Sequence, residues 1–123
     1  MQTVEVQPAR WSQALAEFSA VHKAWLVSLD ILSTTLGAQP QVHDLPLVGV
    51  VAEPHTDGGT ITISAGEPET GQITHTIHSP TRVRIERTSE GADVAMQIES
   101  REGTTTILRL TTPALPETVD GEC

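Results

Sequence analysis

At Lys23 the apolar residues of this chain change period, from three-to-four to two, and that change constrains the fold more than any other feature. Before it, Trp11, Ala14, Leu15, Phe18, Val21 and His22 form one stripe at helical spacing. Pro8 sits where the first turn of a helix tolerates a missing N–H. The spacing predicts an amphipathic helix over about residues 8–23, with Gln13, Glu17 and Lys23 towards water. After it, Trp25, Val27, Leu29 and Ile31 alternate with Leu26, Ser28, Asp30 and Leu32. That is the period of a strand with one buried face.

The alternation continues between turn signals. Ser33 to Gln41, with Gly37 and Pro40, reads as a turn or short loop. Val42 to Glu53 reads as a second strand, in which Pro46 marks an edge or bulge and Gly49 a bend. Pro54-His55-Thr56-Asp57-Gly58-Gly59 is a hairpin turn. Strands follow at Thr60–Ala65, Gln72–His78, Thr81–Thr88, Val94–Glu99 and Thr104–Thr112, separated by glycine-bearing turns and by the break at Ser79-Pro80. In the fourth strand Ile73, His75 and Ile77 share a face. In the next, Val83 and Ile85 point inward and Arg82, Arg84 and Glu86 outward. The first six residues read as frayed, and residues 113–123, with Pro113 and Pro116, as an extended tail covering an edge strand with Leu115 and Val119.

The 123 residues include no tyrosine, one phenylalanine and two tryptophans, so the core is aliphatic. Threonine is frequent in the alternating runs, as β-branched residues suit a pleated, half-buried surface. The expectation is a single mainly β domain over residues 1–123: a helix over 8–23, then six or seven antiparallel strands over 25–112 that form a small barrel or a strongly bent sheet. The helix caps one open end or one face of it.

Charge and composition remove several functions. Seven Lys and Arg stand against sixteen Asp and Glu, a net charge of −9. That balance argues against nucleic acid and against anionic membrane surfaces, both of which need a basic footprint. Scarce aromatic residues remove the platforms on which bases and sugars stack. One cysteine, Cys123, excludes an internal disulfide framework and a cysteine-based zinc cluster. No run is long enough to span a membrane, and the first residues lack a signal-peptide pattern, so the expected setting is a bacterial-type cytoplasm.

Few residues converge on chemistry. The five histidines are His22, His43, His55, His75 and His78. His75 and His78 have a metal-like spacing, but in a strand they point to opposite sides. His55 and Asp57 flank a turn, and His43 and Asp44 are neighbours that face apart. No metal site or cofactor is expected, because such sites need three or four converging ligands. His75 is expected inside the sheet. Arg82, Arg84 and Arg87 gather three of the seven basic residues within one strand. Arg82 and Arg84 share a face about 7 Å apart, a fork suited to a phosphate or carboxylate. Cross-strand pairing with Glu99, Glu53 or Glu86 is their other use. Ser79 lacks a nucleophile elbow, Cys123 lacks an orienting partner, and the paired carboxylates Glu67/Glu69 and Glu117/Asp120 fall in turns or the tail, so no catalytic residue is expected. The Gly58-Gly59 pair precedes no helix and makes no phosphate loop.

Longer stretches carry a resemblance. Leu45-Pro-Leu-Val-Gly49, His75-Thr-Ile-His-Ser-Pro80-Thr81, Gly103-Thr-Thr-Thr106 and Pro113-Ala-Leu-Pro116 with Asp120-Gly121 resemble an uncharacterised bacterial family of small single-domain proteins of unknown function. The resemblance covers nearly the whole chain, including Trp11 and Trp25, and implies no activity. The order of a helix, a bent strand with a central glycine and a late strand carrying Ile73-Thr-His75-Thr-Ile77-His78 is similar to the Sm-like barrels of bacterial RNA chaperones. That family's strand reads Tyr-Lys-His-x-Ile-Ser; here the tyrosine and lysine are replaced.

The reading that follows is a non-catalytic, SH3-like or Sm-like β module acting through a protein partner or self-association. It rests on the apolar runs Leu45–Val51 and Ile107–Leu110, which exceed strict alternation. The alternatives are a small-anion or RNA-binding barrel using His75, Arg82 and Arg84 on one concave surface, and a metal-assisted hydrolase using His55, Asp57, His75 and His78.

Overall fold

Backbone groups in an alternating chain are satisfied by strand pairing, and strands make up most of the described residues of this chain. The computed structural model describes residues 1–56, 58–67 and 69–111. β1 (Gln2–Val6) leads through a 3₁₀ turn (Pro8–Arg10) into α1 (Trp11–Val21). Then come β2 (Leu26–Ser33), β3 (Gly37–Glu53), β4 (Thr60–Glu67), β5 (Gly71–His78), β6 (Pro80–Arg87), β7 (Asp93–Ser100) and β8 (Thr105–Thr111). All pairings are antiparallel, in one sheet of order β1-β6-β7-β8-β2-β3-β4-β5.

The long strand β3 folds the sheet over. Its first half pairs with β2, as far as Leu26–Pro46, and its second half pairs with β4 from Leu47–Ala65 onward. Pro46 has no N–H to carry the β2 ladder further. Asp44 sits at φ +53°, beside a register shift, in a conformation that Asp tolerates better than most residues. A second shift falls between Leu47 and Gly49. The bulge expected at Pro46 and the bend expected at Gly49 each have a register shift beside them.

On the side of β3 that faced β2, Leu47 still bonds to the Trp25 carbonyl and the Ala24 N–H, just ahead of β2, and beyond it the edge of β3 is taken over by α1. The Ser19 hydroxyl meets both backbone groups of Val50, and the Ser12 hydroxyl reaches the Ala52 carbonyl at 3.3 Å. Leu15 and Phe18 enter the core beside Val27, Leu29, Val50, Ile61, Ile63, Val83, Met96, Ile98 and Leu108. These are the alternate residues of their strands, and the core is aliphatic, as expected. Among the described residues no helix is long and apolar enough to cross a membrane.

The sheet is not closed by a ladder. β5 ends the strand order at one side and β6 lies beside β1 at the other. The chain passes from β5 to β6 through Ser79 alone, at φ +52°. The Ser79 N–H donates to the Gly59 carbonyl at 3.0 Å, and the Arg101 N–H donates to the Ser79 carbonyl at 2.9 Å. A one-residue corner thus ties three turns together.

Several expectations are corrected. Among the described residues seven strands follow the helix, as expected, and β1 before it makes an eighth. The first residues are not frayed: β1 pairs with β6 from Gln2–Arg87 to Val6–Val83. Its alternation was too short to signal a strand, and its order comes from the partner. The helix is shorter than 8–23, because Pro8–Arg10 winds as a 3₁₀ turn and α1 ends at Val21. The expected loop 33–41 contracts to a tight turn, since β3 begins at Gly37 and pairs there with Ser33. Val21 and Ile73, placed on apolar faces, are 66 % and 42 % exposed. The expected tail 113–123 lies outside the described residues.

Candidate functional site

Arg82 and Arg84 of β6 stand on its outward face between two acidic neighbours. Directly across the ladders, Arg84 faces Glu5 of β1 and Arg82 faces Glu99 of β7. The bonded pairs run diagonally. Arg82 grips Glu5 with both ends of its guanidinium, at 2.8 and 3.2 Å, and Arg84 pairs with Glu99. Arg87 donates to Asp93 at 2.7 Å, and Gln97 donates to Glu86 at 2.6 Å. The hydrogen bond from Arg82 holds the Glu5 carboxyl below its ordinary range and raises the arginine in return. The Arg84 Nε atom is buried with no hydrogen-bond partner among the described residues. The cross-strand use of these arginines is the one the structure displays, with Glu99 as one expected partner and Glu5 as a partner the sequence did not indicate.

His75 is elsewhere. It lies half-buried on the inward side of β5, in a cleft of about 190 Å³ lined also by Ile31, Ile77, Ser100, Thr104 and Thr106. Neither Arg82 nor Arg84 lines that cleft. Burial lowers the His75 pKa, with a smaller contribution from His78. His78 and Glu102 stand at the cleft as well, and Ser100 and Thr104 share a hydroxyl hydrogen bond at 2.8 Å. The cleft can offer a neutral imidazole and several hydroxyls. Among the described residues no three His, Cys, Asp or Glu side chains gather as a metal ligand set.

The deepest histidine is His22, which sequence reasoning placed on the helix stripe without a further role. It is 3 % exposed, between the rings of Phe18 and Trp25 at centroid distances of 4.4 and 4.9 Å. Its Nδ1 bonds the Phe18 carbonyl at 2.8 Å, and its Nε2 lies 3.6 Å from Asp93. Its helical spacing from Phe18 was the available signal. His43 and Asp44 form an exposed pair at 3.4 Å, against the expectation that they face apart, because the positive φ of Asp44 breaks the alternation there. His55 lines a cleft of about 300 Å³ with Trp11, Pro8, Pro54 and Pro80.

Two surfaces have open apolar character. One is a groove of about 400 Å³ between α1 and β1, floored by Val4, Phe18 and Ile85 and rimmed by Arg10, Glu17 and Asp93. The other is the limb β3–β5. Gly49, with no side chain, leaves a depression of about 340 Å³ between Val48 and Val51 on its outer face. Both valines are exposed. Around them runs a polar carpet in which Thr62 and Ser64 of β4 face Thr76 and Thr74 of β5. Among the described residues β5 hydrogen-bonds in ladder only with β4, and none of them pairs with its far edge.

No curated protein and no solved structure matches this chain. Residues 2–118 match the sequence pattern of a family of unknown function, DUF5335, a span that runs from the first residue of β1 to beyond the end of β8. The helix-capped, eight-stranded bent sheet described above is thus that of a member of family DUF5335, to which this chain belongs.

Proposed function

We propose that the chain is a non-catalytic β module that self-associates through the open edge of β5. One observation carries the reading. β5 is an eight-residue edge strand whose sequence, Gly71-Gln72-Ile73-Thr74-His75-Thr76-Ile77-His78, holds no Lys, Arg, Asp or Glu. Natural edges are blunted by charge, proline or cover, and an uncharged edge of this length invites another strand. The opposite edge, β1, carries Glu5. Antiparallel pairing of β5 with β5 of a second copy is self-complementary about a two-fold axis. The exposed Val48 and Val51 on the same limb add apolar surface to the contact.

The sheet's curl supports the small-barrel form of this module. β2 to β8 follow one another around the sheet, β8 pairs with β2, and only the step from β5 to β6 lacks a ladder. In that form the β5 edge is the seam, and a second copy would pair along it. A role in binding anions or RNA draws less support, because Arg82 and Arg84 already hold Glu5 and Glu99.

Native mass spectrometry and light scattering on tag-free protein test the reading. The expected result is a dimer that becomes a monomer in Ile73→Lys/Thr74→Lys, with the thermal midpoint of the fold retained. A wild-type monomer throughout the micromolar range overturns it, as does a dimer that both lysines leave intact.

A further inference from the structure

We infer that the cleft beside Trp11 is a binding site for a small organic cation, an ammonium group carried on a compact apolar body. This goes beyond self-association at β5 and does not depend on it.

The first argument is how the cleft is made. Three segments far apart in sequence meet there: the 3₁₀ turn with the first residues of α1, the end of β3 with the residues just after it, and the start of β6. Each contributes a proline, Pro8, Pro54 and Pro80, whose ring fixes its φ. Hydrogen bonds hold the segments in place. The Ser12 hydroxyl donates to the Ala52 carbonyl at 3.3 Å, and the Gly58 N–H to the His55 carbonyl at 3.2 Å. The Ser79 N–H, next to Pro80, donates to the Gly59 carbonyl at 3.0 Å. A concavity of about 300 Å³ built this way is formed before any ligand arrives, and its size is at the lower end for small-molecule sites.

The second argument is what the wall offers. Trp11 spends its Nε1–H on the Val6 carbonyl at 2.9 Å, so the indole brings ring surface to the cleft and no donor. An indole attracts a cation through its quadrupole, more strongly than the other aromatic side chains do. The prolines and Ala52 extend the apolar lining.

The third argument is charge. Glu53 stands on the wall, and it forms no ion pair among the described residues. Arg82, Arg84, Arg87 and Arg109, by contrast, are each matched to a carboxylate. Among the described residues no Lys or Arg lines the cleft. An unmatched carboxylate beside a fixed ring, on a chain of net charge −9, complements a cation and repels an anion. A metal ion would find too few ligands there among the described residues. An organic ammonium uses the ring and the apolar lining as well as the carboxylate.

Choline is the probe, and its neutral isostere, with carbon in place of the nitrogen, is the comparison. The chain has two tryptophans, so each indole N–H gives its own signal in isotope-labelled protein. At constant ionic strength, choline is expected to shift the Trp11 indole signal and the amides of Ala52 and Gly58 to saturation in the millimolar range, and to leave the Trp25 indole signal in place. The isostere should bind at least about fivefold more weakly. Glu53→Gln, an exposed change that spares the core, should weaken choline binding about threefold. A Trp11 signal that choline does not move overturns the proposal. So does equal affinity for the isostere, which would make the cleft a general apolar site. Choline binding that Glu53→Gln leaves equally tight overturns it too, because the charge would then be held elsewhere.

Discussion

The hydroxyl of Ser19 stands in for a missing strand at Val50: it accepts the Val50 N–H at 2.8 Å and lies 3.0 Å from the Val50 carbonyl. It also reaches the Leu15 carbonyl at 2.7 Å within its own helix. A lone pair of the hydroxyl holds the Val50 N–H, while its single proton serves the Leu15 or the Val50 carbonyl, one at a time. Ser19→Ala leaves the Val50 N–H without a partner against the helix. A loss of about 1–3 kcal/mol is expected, the cost of an unsatisfied buried donor. Urea denaturation of the two proteins checks it, and an unchanged midpoint would refute the assignment.

Leu15 is fully buried where α1 meets the sheet. Leu15→Ala removes its packing and leaves a cavity, at a cost of about 2–5 kcal/mol. Calorimetry should show a lower midpoint with a single transition. A loss under 1 kcal/mol would mean that α1 contributes little to the core.

The glycines of the β4–β5 hairpin separate two causes of strain. Gly66 and Gly71 both lie at positive φ, +124° and +105°. A Cβ on Gly66 would stand 2.5 Å from the Gly71 carbonyl oxygen, whereas one on Gly71 meets nothing within 4 Å. Gly66→Ala should therefore be clearly the more destabilising of the two, by about 1 kcal/mol or more beyond the shared conformational cost. Equal thermal midpoints would contradict this.

His75 protonates less readily in the fold than in the unfolded chain, chiefly through burial. The sign follows from linkage: below the unfolded pKa, near 6.5, the unfolded state takes up the proton first. Stability is then full above that value and falls as pH drops below it towards the folded pKa. In His75→Gln the decline between pH 7.5 and pH 5.5 should be shallower. Parallel urea titrations at the two pH values measure the difference.

Glu5 has the opposite charge logic. Its carboxyl is held low by the Arg82 hydrogen bond, so its contribution is present above the ordinary carboxylate range and fades as pH falls through the folded pKa. The pair is exposed, and Arg82→Ala should move neutral-pH stability little. The readout is the Glu5 side-chain carbonyl shift: its titration should move up to the ordinary carboxylate range in the variant. A titration that does not move would show that Arg82 is not what holds it down.

Strands with one buried face were legible because their period writes that face into the sequence: Val83 with Ile85, and Met96 with Ile98, are inward as their alternation demands. Pro46 and Gly49 likewise announce the bend of β3. What stayed hidden depends on register between distant segments. Glu5 becomes the partner of Arg82 only because β1 joins β6, and β1 is too short to signal itself. The exposure of Ile73 follows from its place on the edge strand and not from its own neighbours. His22 carries a helix-stripe spacing, but the rings that enclose it come from both sides of the turn that ends α1.

The order of the strands also fixes a timetable. Among the described residues β1 pairs in ladder only with β6, and β2 needs β8, so Gln2 waits for Arg87 and Leu26 for Thr111. While the chain is being made, its first segments emerge with edges that nothing yet covers. The meander β2–β5 can form early, but β2 gains its second neighbour only when β8 leaves the ribosome. Folding is then governed by non-local pairing, the slow class of topology. A ribosome stalled before Thr105 would hold a protein whose sheet lacks the strand that joins β7 to β2, and with it the core residue Leu108.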